Sequence, residues 1–259
     1  MQYGAPPKGL VQSLVSIFYS YRLFWRIYIH SWQSFRPNLM SADQLEGILR
    51  LSTKYEMSTC RQEYVSYLTS LYPTTLHGFD AIEHDWRAYV DREPVRPNCL
   101  WAVTIAREVN IPQILPCAMY CCTRLPAQEI IRGNGRNRLS QEDQNICWAA
   151  QKRLEEMTRS GTFGFLHDFQ PSFDCQTKEE CGNGSQRNLR SFHCDERVPG
   201  RTYARVGGPL SVEDFSRYKD NVCGKCLIAM EARHKARRRE VWSALPDVFG
   251  MGSWNDIYY

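Results

Sequence analysis

Nowhere in this chain do apolar and polar residues alternate long enough to make a confident strand. Apolar side chains recur instead every three or four positions behind residues that cap helices. That pattern predicts an all-α fold. Ser41-Ala-Asp-Gln44 reads as a capping box, and Leu45, Ile48, Leu49 and Ser52 follow it on one face. Thr59-Cys-Arg-Gln62 reads as a second box ahead of a Tyr64, Leu68, Leu71 stripe that Pro73 stops. Asn98 caps a helix through about Val109 that buries Trp101 and Ile105. Pro112 or Pro116 starts the next, with Ala118, Met119, Cys121 and Cys122, and Pro126 ends it. Ser140-x-x-Asp143 caps the longest helix, where Cys147, Ala150, Leu154 and Met157 share a face and Glu155 pairs with Arg159. A final helix is expected over about 223–243, broken at Pro246. Residues 73–97, with Pro73, Pro94 and Pro97, read as a connector. Residues 182–208, rich in Gly, Arg, Ser and Asn and poor in aliphatics, read as a mobile loop. The resulting division is an arm over 1–40, a helical hairpin over 41–76 and a helical region over 77–259, with a further split near Arg136.

Charge narrows the class of function. Residues 1–40 carry Lys8, Arg22, Arg26 and Arg36 and no acid, so the net charge of +4 resides there. The rest balances 28 basic against 28 acidic residues, and a neutral body exerts no general pull on nucleic acid. Arg22 and Arg26 interrupt the apolar stretch 10–35, so no uncharged run reaches the roughly 18 residues of a spanning helix. The segment reads as a basic, aromatic-rich arm; its alternative reading is a mitochondrial presequence. Eleven cysteines, an odd number, include Cys60, Cys117, Cys121 and Cys147 inside apolar helical patterns. A reduced thiol packs there as a small hydrophobe, which points to the cytoplasm or nucleus.

One constellation has metal-ligand spacing. Cys175-x5-Cys181 in a loop and Cys223-x2-Cys226 at a helix start can offer four thiolates in a tetrahedron, the coordination of one structural Zn²⁺. His193 and Cys194 stand in reserve, and the helix N-terminus is expected to help keep Cys226 deprotonated. The alternative is four ordinary reduced thiols. The run His234-Lys-Ala-Arg-Arg-Arg239 raises a second reading, a zinc-containing nucleic-acid binder using the basic helix 233–239. Against it stands a solvated helix face in which Glu231 pairs with Lys235. Signatures of catalysis are missing: no phosphate loop, no Gly-x-Ser-x-Gly, no His-Glu-x-x-His and no dinucleotide fingerprint. A non-catalytic protein is expected.

Ile48-Leu-Arg-Leu-Ser-Thr-Lys-Tyr-Glu-Met57, then Cys60-Arg61 and Tyr67-Leu-Thr-Ser-Leu-Tyr-Pro-Thr-Thr-Leu76, form an ordered pattern. It continues through Ala106-Arg-Glu-Val109, Ile114-Leu-Pro-Cys-Ala118 and Leu139-Ser-Gln-Glu-Asp-Gln144. Cys223-x2-Cys226, Ala232-Arg-His234 and Trp242-x2-Leu-Pro-x2-Phe-Gly250 complete it. Together these resemble the BTB/POZ-domain proteins of mushroom-forming fungi, from the end of the BTB domain onward. The resemblance implies a helical region after a BTB fold and a protein that acts by recruiting protein partners. A whole BTB domain would need about sixty residues of strands and helices before Ile48, a size typical of small domains. Only forty-seven residues precede it here, without strand patterning. The BTB dimer surface is therefore expected to be missing, and the chain to be a monomer or a weak dimer.

Overall fold

The computed structural model describes residues 41–88, 98–135, 137–196 and 208–258. The arm 1–40, residues 89–97 of the expected connector, Arg136, residues 197–207 and Tyr259 lie outside them. Helix accounts for 73% of the described residues, and extended backbone pairs among them only in an isolated bridge between Asn134 and Asn137. The fold is all-α, as the apolar spacing requires.

Helix α1 (Ala42–Lys54) begins with the expected capping box: Gln44 N–H donates to Ser41 Oγ, and Ser41 N–H donates to Gln44 Oε1. It ends with Glu56 in the left-handed region (φ 52°), while Met57 N–H reaches back to the Ser52 carbonyl. Helix α2 (Ser58–Leu71) follows this tight turn and packs on α1. Its N-cap is Met57, with no side-chain cap bond, so the box expected at Thr59 does not form: Thr59 already lies in the first turn. Arg61 of α2 donates to the carbonyls of Val109 and Asn110, satisfying the end of α4 (Cys99–Glu108). Asn98 caps α4 as expected, its Oδ1 accepting from Leu100 N–H.

Helix α4 and α5 (Leu115–Thr123) are buried on nearly every side and pack on each other, so they form the centre of the first core. A 3₁₀ turn, Pro112–Ile114, leads into α5, which stops at Thr123; Pro126 instead caps the short α6 (Ala127–Arg132). Helix α7 (Gln141–Glu156) starts at Ser140, whose hydroxyl accepts from Asp143 N–H, and Arg159 meets Glu155 at 3.1 Å.

Three further expectations about the helices are corrected. The connector reading of 73–97 fails over Leu76–Ala88, which forms α3. Thr75 opens it by accepting from Gly78 N–H, and Phe79 anchors it between Tyr120 and Trp242. The loop reading of 182–208 fails over its first part, because Lys178–Glu196 is helix α9. At Gly184 an added Cβ would lie 1.6 Å from the Asn221 carbonyl oxygen. That glycine serves close packing of a helix and does not mark a loop. The third concerns the last long helix, α10 (Gly224–Val248), which runs through Pro246 without breaking. Proline there supplies no N–H to the carbonyl four residues back. The Trp254 indole takes that role, donating to the Trp242 carbonyl at 2.9 Å while stacking on the Trp242 ring. Trp254 begins the closing helix α11 (Trp254–Tyr258).

Two cores result. The first gathers α1, α2, α4, α5, α7 and the second half of α10. The second is smaller: among the described residues it has ten buried members, from Phe163 to Met230, three of them cysteines. The chain passes between them at a π-helical turn, Met157–Thr162, beyond the split expected near Arg136. After it comes the four-residue helix α8 (Gly164–His167). Helix α10, roughly 37 Å long at 1.5 Å per residue, buries Cys226 and Met230 in the second core and Val241, Trp242 and Leu245 in the first. Between these groups Arg238 is buried, its guanidinium bonded to Asp80 of α3 and the Leu210 carbonyl.

Candidate metal centre

Each of the four cysteines sits at the edge of a local structure that fixes its sulfur. Cys175 ends a turn in which its N–H donates to the Ser172 carbonyl at 3.0 Å. Cys181 lies in the first turn of α9, its N–H bonded to the Thr177 carbonyl. Cys223 is the N-cap of α10, and Cys226 lies in that helix's first turn. Two segments more than forty residues apart thus bring their sulfurs together, all within 4.8 Å of one another. Cys175 Sγ is 3.7 Å from both Cys181 Sγ and Cys223 Sγ. Tetrahedral metal–sulfur bonds of about 2.3 Å put sulfurs about 3.8 Å apart; a disulfide would need about 2.0 Å.

Main-chain donors already point at the cluster. Cys223 N–H donates to Cys181 Sγ at 3.2 Å, and Ser172 N–H to Cys226 Sγ at 3.3 Å. Thr177 Oγ1 is 3.5 Å from Cys181 Sγ. Cys175, Cys181 and Cys226 are buried and Cys223 is half-buried. The Cys226 backbone N–H above all, opposed by burial and assisted by neighbouring thiols, brings the Cys223 thiol down to about 7. Burial, with the Cys175 and Cys223 thiols adding to it, pushes Cys226 up to about 12. Without an ion the cap position, at the margin of the second core, therefore holds the more acidic thiol of the two. The four sulfurs could hold one metal ion, whose charge would favour thiolates at every position. Among the reserve ligands, the side chains of His193 and Cys194 lie outside the described residues.

A missed signal lay beside the site. Thr177-x-x-Glu180, with Glu179 and Glu180 in the first turn, is a helix-start pattern. Cys181, Ser185, Asn188, Leu189 and Phe192 then trace one inward stripe, obscured because two of its members are polar.

The basic run is dispersed around α10. His234 and Arg238 are buried, Lys235 pairs with Glu231, and Arg237 pairs with Glu240. Arg233 lines a cavity of about 400 Å³ with Gly161, Phe165 and Asp168. No helix among the described residues is long and apolar enough to cross a membrane. Comparison with protein-family models, curated proteins and solved structures finds no match for this chain.

Proposed function

We propose that this chain is a non-catalytic protein-interaction scaffold whose second core is fastened by one structural Zn²⁺ on Cys175, Cys181, Cys223 and Cys226. The observation that carries the reading is the convergence of four sulfurs, three of them buried, from two distant segments. A closed set of four thiolates suits a structural ion, with no position left open for substrate. The second core also has a use for such an ion, since a core of ten buried residues is small and metal binding supplies folding free energy directly. The scaffold role rests on the resemblance to BTB/POZ proteins. It is supported by Phe173, 96% exposed on the turn that Cys175 closes, a position suited to meeting a partner. The reading places the protein in the cytoplasm or nucleus, as a monomer or weak dimer. The described cysteines form no disulfide, which suits a reducing compartment.

Metal analysis of the purified protein tests the proposal. About one zinc per chain is expected, the stoichiometry of a single four-cysteine site. Cys223→Ser should lose the metal and destabilise the segment from α8 to the first half of α10. Iron at equal stoichiometry would keep the site but replace the ion, and metal-free protein of undiminished stability would sink the structural role. Protein partners captured at both low and high salt would favour the scaffold. An affinity for nucleic acid that falls steeply with salt would favour the nucleic-acid reading instead.

A further inference from the structure

We propose that the cysteine cluster is also a peroxide-responsive switch: a hydroperoxide enters at Cys223, and the resulting Cys175–Cys223 disulfide expels the metal and frees the start of α9. The metal-release half rests on the zinc reading above; the disulfide half stands on the sulfur geometry alone.

Access is asymmetric. Cys175, Cys181 and Cys226 are 6%, 2% and 0% exposed, whereas Cys223 is half-buried at the helix cap, so a small oxidant meets the cluster there first. A second sulfur waits beside it. Cys175 Sγ lies 3.7 Å from Cys223 Sγ, and closing to a disulfide of about 2.0 Å asks for movements within the reach of side-chain rotation and small backbone adjustment. A reactive thiolate next to a resolving cysteine is the arrangement of redox-sensing pairs. The core cysteines are poorly placed to compete. Cys60, Cys117, Cys122 and Cys147 are buried, and burial pushes the thiols of Cys60 and Cys147 up to about 11 and about 12.

The chemistry closes without a further reactant. The Cys223 thiolate attacks one peroxide oxygen; the O–O bond breaks, a sulfenic acid forms, and the other oxygen leaves as alkoxide or hydroxide and takes up a proton. The Cys175 thiolate then attacks the Cys223 sulfur, expelling hydroxide, which leaves as water after protonation. Two thiolates, one hydroperoxide and two protons become one disulfide, one alcohol (water, when the oxidant is hydrogen peroxide) and one water. The sulfurs have lost two electrons and the peroxide has gained them.

The consequence falls on one helix. The new bond keeps the 172–175 turn tied to the start of α10, because it joins those two elements. Cys181 and Cys226 remain, too few to hold a tetrahedral ion by themselves. Cys181 is the cluster's only tie to α9, so the start of that helix loses its fastening.

The full-length protein as isolated, its zinc content first measured, is treated with about one equivalent of hydrogen peroxide. Zinc release is followed with a chromogenic chelator, disulfides are mapped by mass spectrometry after an acid quench, and amide exchange is measured on α9. The expected result is one zinc released per Cys175–Cys223 disulfide formed, exchange at least tenfold faster at the start of α9, and reversal by dithiothreitol with added zinc. Zinc retained after oxidation, or a first disulfide formed through Cys99, Cys121 or any pair other than Cys175–Cys223, overturns the switch. Metal-free protein that still forms the Cys175–Cys223 bond upholds the disulfide chemistry while removing the zinc reading. Metal-free protein that does not form it removes both.

Discussion

His234 shows how one residue's environment decides its chemistry. Its ring is 2% exposed and surrounded by Phe163, Phe165 and Phe215 at 5.4–5.8 Å between centroids. Nδ1 lies 3.1 Å from the Thr162 carbonyl, which can only accept, so Nδ1 carries the proton of a neutral ring. Nε2 is buried beside the Ser211 backbone without a well-formed hydrogen bond. Burial chiefly, with the Arg238 guanidinium and against the Thr162 bond, lowers the ring's pKa below its ordinary 6.5. Above about pH 6.5 both folded and unfolded chains carry a neutral imidazole and the stabilisation is whole. As pH falls through that value the unfolded chain takes up a proton first, and stability declines until the folded ring titrates too. The urea midpoint should therefore drop between about pH 7 and pH 5.5, with a shallower slope in His234→Gln. Equal slopes in the two proteins would mean that other groups set the pH dependence.

At the scale of an element, α9 stands where it does because a helix can touch a loop at a glycine. Gly184 lets the helix backbone meet the Asn221 carbonyl, and around that contact Arg187 Nε donates to Asn221 Oδ1 and Asn221 Nδ2 to Asn188 Oδ1. Alanine in an unconstrained helix would add up to about 1 kcal/mol over glycine. Here its Cβ would meet backbone, which cannot rotate away, and forced shifts in packed sites cost roughly 1–3 kcal/mol. Gly184→Ala should therefore destabilise the protein by thermal melting, although Gly182→Ala, with open space around its Cβ, should not. A stabilised Gly184→Ala would show that α9 sits farther from Asn221.

At the scale of the whole molecule, two cores of unequal size share α10. The larger draws on fully buried aliphatic and aromatic side chains of α1, α2, α4 and α5 and needs no ion. The smaller has the sulfurs as part of its lining. On the proposed zinc reading, a strong chelator should accordingly abolish amide protection in α8, α9 and the first half of α10, while α4, α5 and α7 stay protected. Loss of protection everywhere at once would mean that α10, held at Arg238 by Asp80 and Leu210, makes the two cores one cooperative unit.

Local chemistry made much of this legible in advance. Ser41, Asn98 and Ser140 start helices because each offers an oxygen to an N–H within three residues, and such bonds depend on nothing distant. Cys223-x2-Cys226 was readable for the same reason, since three residues on one helical turn bring two sulfurs close. The sequence by itself therefore determined the all-α class, many of the helix starts and which cysteines were candidates. Tertiary structure decided the rest. Pro246 continues a helix only because Trp254, eight residues on, supplies the missing donor. A glycine at 184 has its use inside a helix because the Asn221 carbonyl approaches where a Cβ would stand. The four sulfurs form one site because α9, read as a loop, is a helix that carries Cys181 to the start of α10. In each case the deciding partner lies outside the helix it acts on, and no pattern within that helix encodes where the partner will be.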